Sequence, residues 1–211
     1  MSVIKALVTI VFVSYGVAVA QPLAPEDIDL SAVSEKEVSI TDLSDPTIAG
    51  KTFVAATVMD ASLQKICSAI MNYSEYPQFM PNTVNTKVIQ FSEEYTMIEM
   101  TLGLPMGKTK KYRLKMESAI QPQSCRLSWK LVPWEELKPS DTIADTTGYW
   151  LLTPYSANRN MTLVKYHVYA DPGPVPFGLG WIVEMMSKIS LPRTLNALRE
   201  RTALHDDTHS R

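Results

Sequence analysis

The chain has 211 residues, of which 45% are hydrophobic and 20% are charged, and its formal net charge is −2. This length is enough for one domain of ordinary size with a small appendage. The near-neutral charge excludes a disordered acidic chain and a nucleic-acid binder that depends on bulk positive charge. The composition therefore predicts a globular protein with one hydrophobic core and no nucleic-acid partner.

The first twenty residues have the pattern of a secretory signal peptide. Lys5 supplies a positive charge, residues 6–17 are almost wholly apolar, and Ala18-Val19-Ala20 matches the small-x-small site of signal peptidase. The apolar run is shorter than the roughly 20 residues of a membrane-spanning helix. We therefore expect cleavage after Ala20 and a secreted or periplasmic protein. An uncleaved anchor is the weaker alternative.

Residues 21–50 form an acidic leader, with seven acidic side chains and a single basic one, Lys36. Val38, Ile40 and Leu43 provide enough apolar surface for one edge strand. The favoured interpretation is a solvated acidic extension, because a charge-rich segment beside a terminus is usually exposed.

The folded domain is predicted over residues 51–204, and a polar tail follows at 205–211. After Gly50 the chain has 18 lysine and arginine residues against 15 acidic residues. This mild excess of positive charge is compatible with transient contact with an anionic membrane surface.

Residues 52–59 are rich in β-forming side chains and predict a strand. Asp60-Ala61-Ser62 then provides a helix start before apolar residues at helical spacing. Those residues are Leu63, Ile66, Cys67 and Ile70. Tyr76-Pro77 and Met80-Pro81 stop regular helix and leave room for one short second turn.

After the short helices the hydrophobic pattern changes to a period of two. Charged side chains alternate with Tyr112, Leu114 and Met116, as in a strand with one wet and one buried face. The same alternation over 125–131 predicts an antiparallel neighbour. Further strands are predicted at 84–91, 95–102, 146–153 and 161–169.

A long amphipathic helix is predicted from Pro176 to about Leu204. Together these elements predict an α+β fold in which a curved antiparallel sheet of about seven strands wraps around the C-terminal helix. Cys67 and Cys125 fall on the apolar faces of a helix and a strand. Export would permit a bridge between them, but two separately buried thiols are the favoured interpretation.

Four local motifs occur in the order typical of a known superfamily. They are Tyr76-Pro77 with Phe79-Met80-Pro81, Gly148-Tyr149-Trp150-Leu151-Leu152-Thr153-Pro154, Asp171-Pro172-Gly173 with Val175-Pro176, and Leu191-Pro192 with Thr194-Leu195 and Leu198-Arg199. With the element order, these motifs resemble the START-like (SRPBCC, helix-grip) superfamily, which is related to steroidogenic-acute-regulatory lipid-transfer proteins and polyketide cyclases. The resemblance extends from about Thr52 to Arg201 and implies a helix-grip fold.

Members of this superfamily enclose an elongated apolar cavity for lipids, sterols, quinones or polyketides. The resemblance therefore implies a cavity between sheet and helix, whose lining is selected by strand parity and helix periodicity. The predicted lining is Met100, Leu102, Tyr112, Leu114, Met116, Leu127, Trp129, Leu131, Trp150, Leu152, Val164, Tyr166, Val168, Met185 and Ile189. A filled core would give the same alternation and is the alternative.

Some polar and aromatic residues have two interpretations. Tyr112 and Tyr166 are candidates to hydrogen-bond a ligand hydroxyl or headgroup, but protein groups satisfy many buried tyrosines instead. Phe177 and Trp181, beside flexible glycines, are a candidate gate that contacts a membrane. The alternative is that both rings anchor the helix to the sheet.

Several other patterns in the sequence fall short of a phosphate-binding, membrane-binding or metal site. Residues 103–109 resemble a phosphate-binding loop but have three residues between the glycines where four are needed. The basic run over 108–115 is interpreted as the water-facing side of one strand. Two of the three histidines, His205 and His209, lie in the tail, which excludes a three-histidine metal site in the domain. No cofactor is predicted.

The leading hypothesis is an exported, non-catalytic protein that binds or transfers a lipid, sterol or isoprenoid. A cyclase or dehydratase on the same fold is the alternative, although the only inward-facing polar candidates are tyrosines and threonines. A third hypothesis is an interaction domain with a filled core, because fold alone does not determine function.

Overall fold

The structure is a computed structural model that describes residues 33–155, 158–174 and 180–204, without the side chains of 158, 159, 180–188 and 204. The strands are β1 (Ser39–Asp42), β2 (Lys51–Met59), β3 (Thr83–Phe91), β4 (Thr96–Gly103), β5 (Thr109–Gln121), β6 (Ser124–Val132), β7 (Asp145–Tyr155) and β8 (Asn158–Asp171). The helices are α1 (Leu63–Met71), α2 (Tyr76–Phe79) and α3 (Gly180–Leu204), with 3₁₀ turns at Tyr73–Glu75 and Pro105–Gly107. Within the described ranges, no helix is long and apolar enough to cross a membrane.

The eight strands form one antiparallel sheet in the order β1-β2-β8-β7-β6-β5-β4-β3. Consecutive strands therefore pair, except that β2 and β3 lie apart, because β8 returns to lie between β2 and β7. The helix that follows β8, α3, packs against β2, α1 and α2. The helices consequently share the inner face of the sheet.

Each helix is positioned by a short apolar stripe. The Ser62 side chain accepts a hydrogen bond from the Lys65 backbone N–H at 3.3 Å and caps the start of α1. Leu63, Ile66, Cys67 and Ile70 are buried on one side of this helix, at the predicted spacing. Among the described side chains of α3, the buried apolar stripe consists of Leu191, Leu195 and Leu198. Both stripes join the core that covers the inner face of the sheet.

The leader differs from the favoured prediction, because residues 39–42 form an edge strand on β2 rather than a solvated extension. Val33 is only 7% exposed and packs with Val54, Ala56 and Val58 on the outer face of β2. Since β2 is apolar on both faces, its outer face needs a cover. The fold therefore begins before Lys51, and the described residues contain eight strands.

Side-chain hydrogen bonds also hold this segment to the domain. The Thr57 hydroxyl donates to the Ser34 carbonyl oxygen at 2.9 Å and accepts from the Arg199 guanidinium at 2.6 Å. Arg199 lies on α3, so this one threonine connects β2 to both the leader and the last helix. The contact fixes the leader at the point where it meets the sheet.

The interpretation of two separate thiols is wrong, because Cys67 and Cys125 form a disulfide. Their Cα atoms are 6.1 Å apart, within the range that a disulfide spans. Both faces were predicted as apolar, and both cysteines are buried. The apolar face of α1 packs against the apolar face of β6. The two positions where a cysteine was predicted to be buried are therefore adjacent, and the two sulfur atoms can bond.

Candidate ligand-binding cavity

A cavity of about 290 Å³ lies between the inner face of the sheet and the helices. Its walls are largely apolar, and exposed Pro105, Lys108 and Pro174 mark its rim. Several of the predicted residues lie on its wall. They are Met100, Leu102, Tyr112, Leu114, Met116, Trp129, Trp150, Tyr166 and Val168.

Other predicted lining residues lie elsewhere. Leu127, Leu152 and Val164 are fully buried in the core and absent from the cavity wall. They point to the same face as the wall residues, but α1 packs against β6, β7 and β8 and covers that end of the face. Leu131 is half-buried and packs against the core beside the cavity.

The predicted lining residues on α3, Met185 and Ile189, are not found on the cavity wall among the described side chains. Ile189 is 43% exposed and does not line the cavity, because it lies outside the stripe of Leu191, Leu195 and Leu198. Instead, Ser190 and Thr194 of α3 face the cavity. The proposed gate residue Phe177, and the side chains of Trp181 and Met185, lie outside the part that the structure describes.

Three aromatic rings form one wall of the cavity. The Tyr166 ring lies 4.1 Å from the Trp150 ring and 5.5 Å from the Trp129 ring, measured between centroids. The Trp129 indole N–H donates to the Thr146 hydroxyl at 3.4 Å, and that hydroxyl donates to the Tyr169 carbonyl oxygen at 2.7 Å. These contacts hold the Trp129 ring in place and satisfy its polar atom.

Gly148 makes this wall possible because it lies directly beneath the Trp129 ring. A Cβ atom at Gly148 would overlap both the His167 carbonyl oxygen and the Trp129 ring. The backbone oxygen belongs to the paired strand β8 and has little freedom to move. The glycine of the Gly148–Pro154 motif is therefore required for close packing rather than for backbone flexibility.

We expect Gly148→Ala to lower the free energy of unfolding by about 2–3 kcal/mol, as other overpacked cores do. Urea unfolding followed by tryptophan fluorescence measures this change. Gly103→Ala is the matched control, because its Cβ would lie 3.0 Å from the exposed Val84 side chain, which is free to move. Equal stability of the two variants would contradict the assignment.

Lys110 is a wall residue that the sequence analysis placed on the wet side of β5. It shares the parity of Tyr112, is 6% exposed and lines the cavity. Its ammonium group donates to the Thr142 carbonyl oxygen at 2.8 Å and to the Pro172 carbonyl oxygen at 2.5 Å. Lys110 therefore connects β5 to the loops that precede β7 and follow β8.

The charge of Lys110 is held in a partly desolvated position. Burial lowers the pKa of Lys110, whereas Asp171 and Asp141 favour the charged form and oppose that effect. Two other members of the basic run, Arg113 and Lys115, follow the prediction and face outward. Arg113 pairs with Glu99 at 2.9 Å, and Lys115 pairs with Glu117 at 2.6 Å.

Tyr76 lies on the wall of the cavity and was missed as a wall residue by the sequence analysis. Its hydroxyl donates to the Ile70 carbonyl oxygen at 2.5 Å, and burial raises its pKa. Its ring makes edge contacts with Tyr73 and Phe79. The only sequence signal was the Tyr-Pro motif itself. Other missed wall residues include Met80, Ile143, Thr146, Ala170 and Pro172.

The chain is similar to known proteins in its structure, whereas comparisons of its sequence find no match. No family model matches the sequence, and no curated protein matches it either. A STAR-related lipid transfer protein from Xanthomonas axonopodis superposes with a TM-score of 0.67 at 15% identity, covering 79% of this chain and 93% of that one. Human StAR-related lipid transfer protein 5 gives 0.68 at 11% identity, with coverages of 80% and 83%.

A third similar structure is an enzyme, the Zhui aromatase/cyclase from a Streptomyces species. Its TM-score is 0.55 at 10% identity, and the match covers 79% of this chain and 94% of that one. These likenesses establish that the chain has the START-like, helix-grip fold. The fold predicted from the four motifs and the element order is confirmed.

Proposed function

We propose that the protein is an exported carrier that binds a lipid, sterol or isoprenoid in the cavity and transfers it without covalent chemistry. The observation that supports this most is the apolar, aromatic wall formed by Trp129, Trp150 and Tyr166 inside a fold used by lipid transfer proteins. Burial of apolar ligand surface contributes about 25 cal/mol per Å² before the cost of ordering.

The polar groups of the described walls favour binding over catalysis. The Asp171 carboxylate accepts a hydrogen bond from the Gly173 backbone N–H at 2.8 Å and is engaged in a turn. His167 lies on the outer face, where its ring stacks on Tyr149 with centroids 5.1 Å apart. A general base for cyclase chemistry would have to face the cavity.

Two independent features support the export. The first is the signal-peptide pattern that ends at Ala20. The second is the Cys67–Cys125 disulfide, since such bridges persist mainly in oxidising compartments outside the cytosol.

Contact with a membrane during transfer is supported by the rim of the cavity. Met106 is 73% exposed in the turn between β4 and β5, next to the exposed Lys108. An apolar side chain beside a basic one suits the boundary between headgroups and acyl chains. We propose that this turn touches the bilayer while the ligand enters or leaves.

Organic extraction of the protein purified from its native host, followed by mass spectrometry, is expected to release one lipid per chain. The protein mass is expected to correspond to a chain that begins at Gln21. Trp129→Arg places a charge in the apolar wall and is expected to abolish lipid retention.

Trp134→Arg is the matched control, because Trp134 packs against Arg113, which projects from the outer face of the sheet. Far-UV circular dichroism confirms that both variants are folded. Lipid retained by folded Trp129→Arg would refute the assignment of the cavity. Repeated absence of lipid, together with no binding to a lipid panel, would refute the carrier function.

A further inference from the structure

Two tyrosine hydroxyls on the cavity wall differ from those polar groups of the same wall that already have a protein partner. Tyr76, Thr146 and Lys110 each donate to a backbone carbonyl oxygen. In the part of the chain that the structure describes, neither the Tyr112 nor the Tyr166 hydroxyl has a hydrogen-bond partner. The two residues reach the same cavity from β5 and β8, which are separated in the sheet by β6 and β7.

Neither phenol can easily turn away from the cavity. The Tyr166 ring is stacked between Trp129 and Trp150, and Tyr112 packs against the core between the buried Lys110 and Leu114. Both side chains are half-buried, and a tyrosine hydroxyl that faces an apolar cavity gains from a hydrogen-bond partner there. The unpartnered hydroxyls therefore point to a group supplied from inside the cavity.

The chemistry of that group follows from the state of the phenols. Burial raises the pKa of Tyr112 to about 12, and burial together with the nearby Tyr112 raises the pKa of Tyr166 further. Both side chains are thus neutral at physiological pH and have a proton to donate. A neutral oxygen acceptor satisfies them without burying another charge.

We propose that the Tyr112 and Tyr166 hydroxyls form the polar subsite of the cavity and donate hydrogen bonds to an oxygen atom of the bound molecule. The ligand is then an oxygen-bearing lipid, such as an alcohol, ketone or ester, rather than a plain hydrocarbon. This inference rests on the proposed carrier function and specifies which class of hydrophobic molecule the cavity selects.

Three probes of equal chain length test the subsite: dodecane, 1-dodecanol and 2-dodecanone. Quenching of tryptophan fluorescence reports binding, because Trp129 and Trp150 line the cavity. The delipidated protein is expected to bind the two oxygenated probes more tightly than dodecane. Tyr112→Phe and Tyr166→Phe are each expected to weaken binding of the oxygenated probes by about fivefold to tenfold and to leave dodecane binding unchanged.

Tyr73→Phe is the matched control, since Tyr73 is a buried tyrosine that does not line the cavity. It is expected to leave the preference for oxygenated probes intact. If the wild-type protein binds all three probes equally, or if the two phenylalanine variants keep the preference, the subsite is overturned while the carrier function stands. If no probe binds, both proposals are contradicted.

Discussion

Replacing both Cys67 and Cys125 with alanine is expected to lower the free energy of unfolding by about 4 kcal/mol, on the loop-entropy estimate. The bridge connects residues 58 positions apart in the sequence, so breaking it releases a long loop in the unfolded chain. It also joins α1 to β6 at the end of the inner face where Leu127 and Leu152 are packed. Urea unfolding of the variant and of the oxidised wild type measures the difference.

Reductant provides the control for this prediction. Dithiothreitol is expected to destabilise the wild type to the level of the double variant and to leave the variant unchanged. Thiol titration of the unfolded, unreduced wild type is expected to find no free cysteine. Titration of two thiols, or equal stability with and without reductant, would contradict the bridge.

The strands were predictable because their periodicity is a local property. On β5, the charged residues alternate with Tyr112, Leu114 and Met116, and the structure has these three on the inner face. Lys110 shares their parity but was assigned by its charge, and the assignment was wrong. At such a position parity is the better guide, because a strand cannot turn one side chain to the other face without a bulge.

The leader and the disulfide depend on contacts between distant segments. Val54, Ala56 and Val58 leave β2 apolar on both faces, which signals that something covers the outer face. The sequence does not say that Val33 and β1 supply that cover. Likewise, two cysteines on apolar faces become one bridge only when α1 is placed against β6. Such choices are made by tertiary packing.

The cavity shows the same limit within a single face. Strand parity places Leu127 and Leu152 with the wall residue Trp150, since all three share one buried face. Parity does not tell which stretch of that face a helix covers and which stretch stays open. The position of α1 decides this, and it divides the face into a packed end and a hollow end.

Tyr73 and Tyr76 are buried and Tyr112 and Tyr166 are half-buried, and these four tyrosines predict marked sensitivity to alkali. The pKa values of Tyr73 and Tyr112 are raised to about 12, and those of Tyr76 and Tyr166 are also raised, with burial the main cause in each case. In the unfolded chain a tyrosine ionises near pH 10. Below pH 10 these tyrosines are protonated in both the folded and the unfolded protein, so they do not make the free energy of unfolding depend on pH.

Above pH 10 the unfolded chain loses protons that the folded protein keeps, so the free energy of unfolding falls as the pH rises. Each such tyrosine lowers the free energy of unfolding by about 1.4 kcal/mol per pH unit, so four lower it by about 6 kcal/mol per pH unit. Because total stability is typically about 5–15 kcal/mol, we expect cooperative unfolding between about pH 11 and pH 12. Tyrosinate absorbance and far-UV circular dichroism, followed together, measure it.

Tyr73→Phe removes one of the four groups without removing a described hydrogen bond, and it is expected to reduce the pH dependence by about a quarter. The tyrosines with raised pKa values are expected to contribute tyrosinate absorbance only as the circular dichroism signal is lost, because unfolding is what exposes them to water. Ionisation of all tyrosines near pH 10 with the fold intact would show instead that the cavity phenols are solvated, and it would remove the physical basis of the polar subsite.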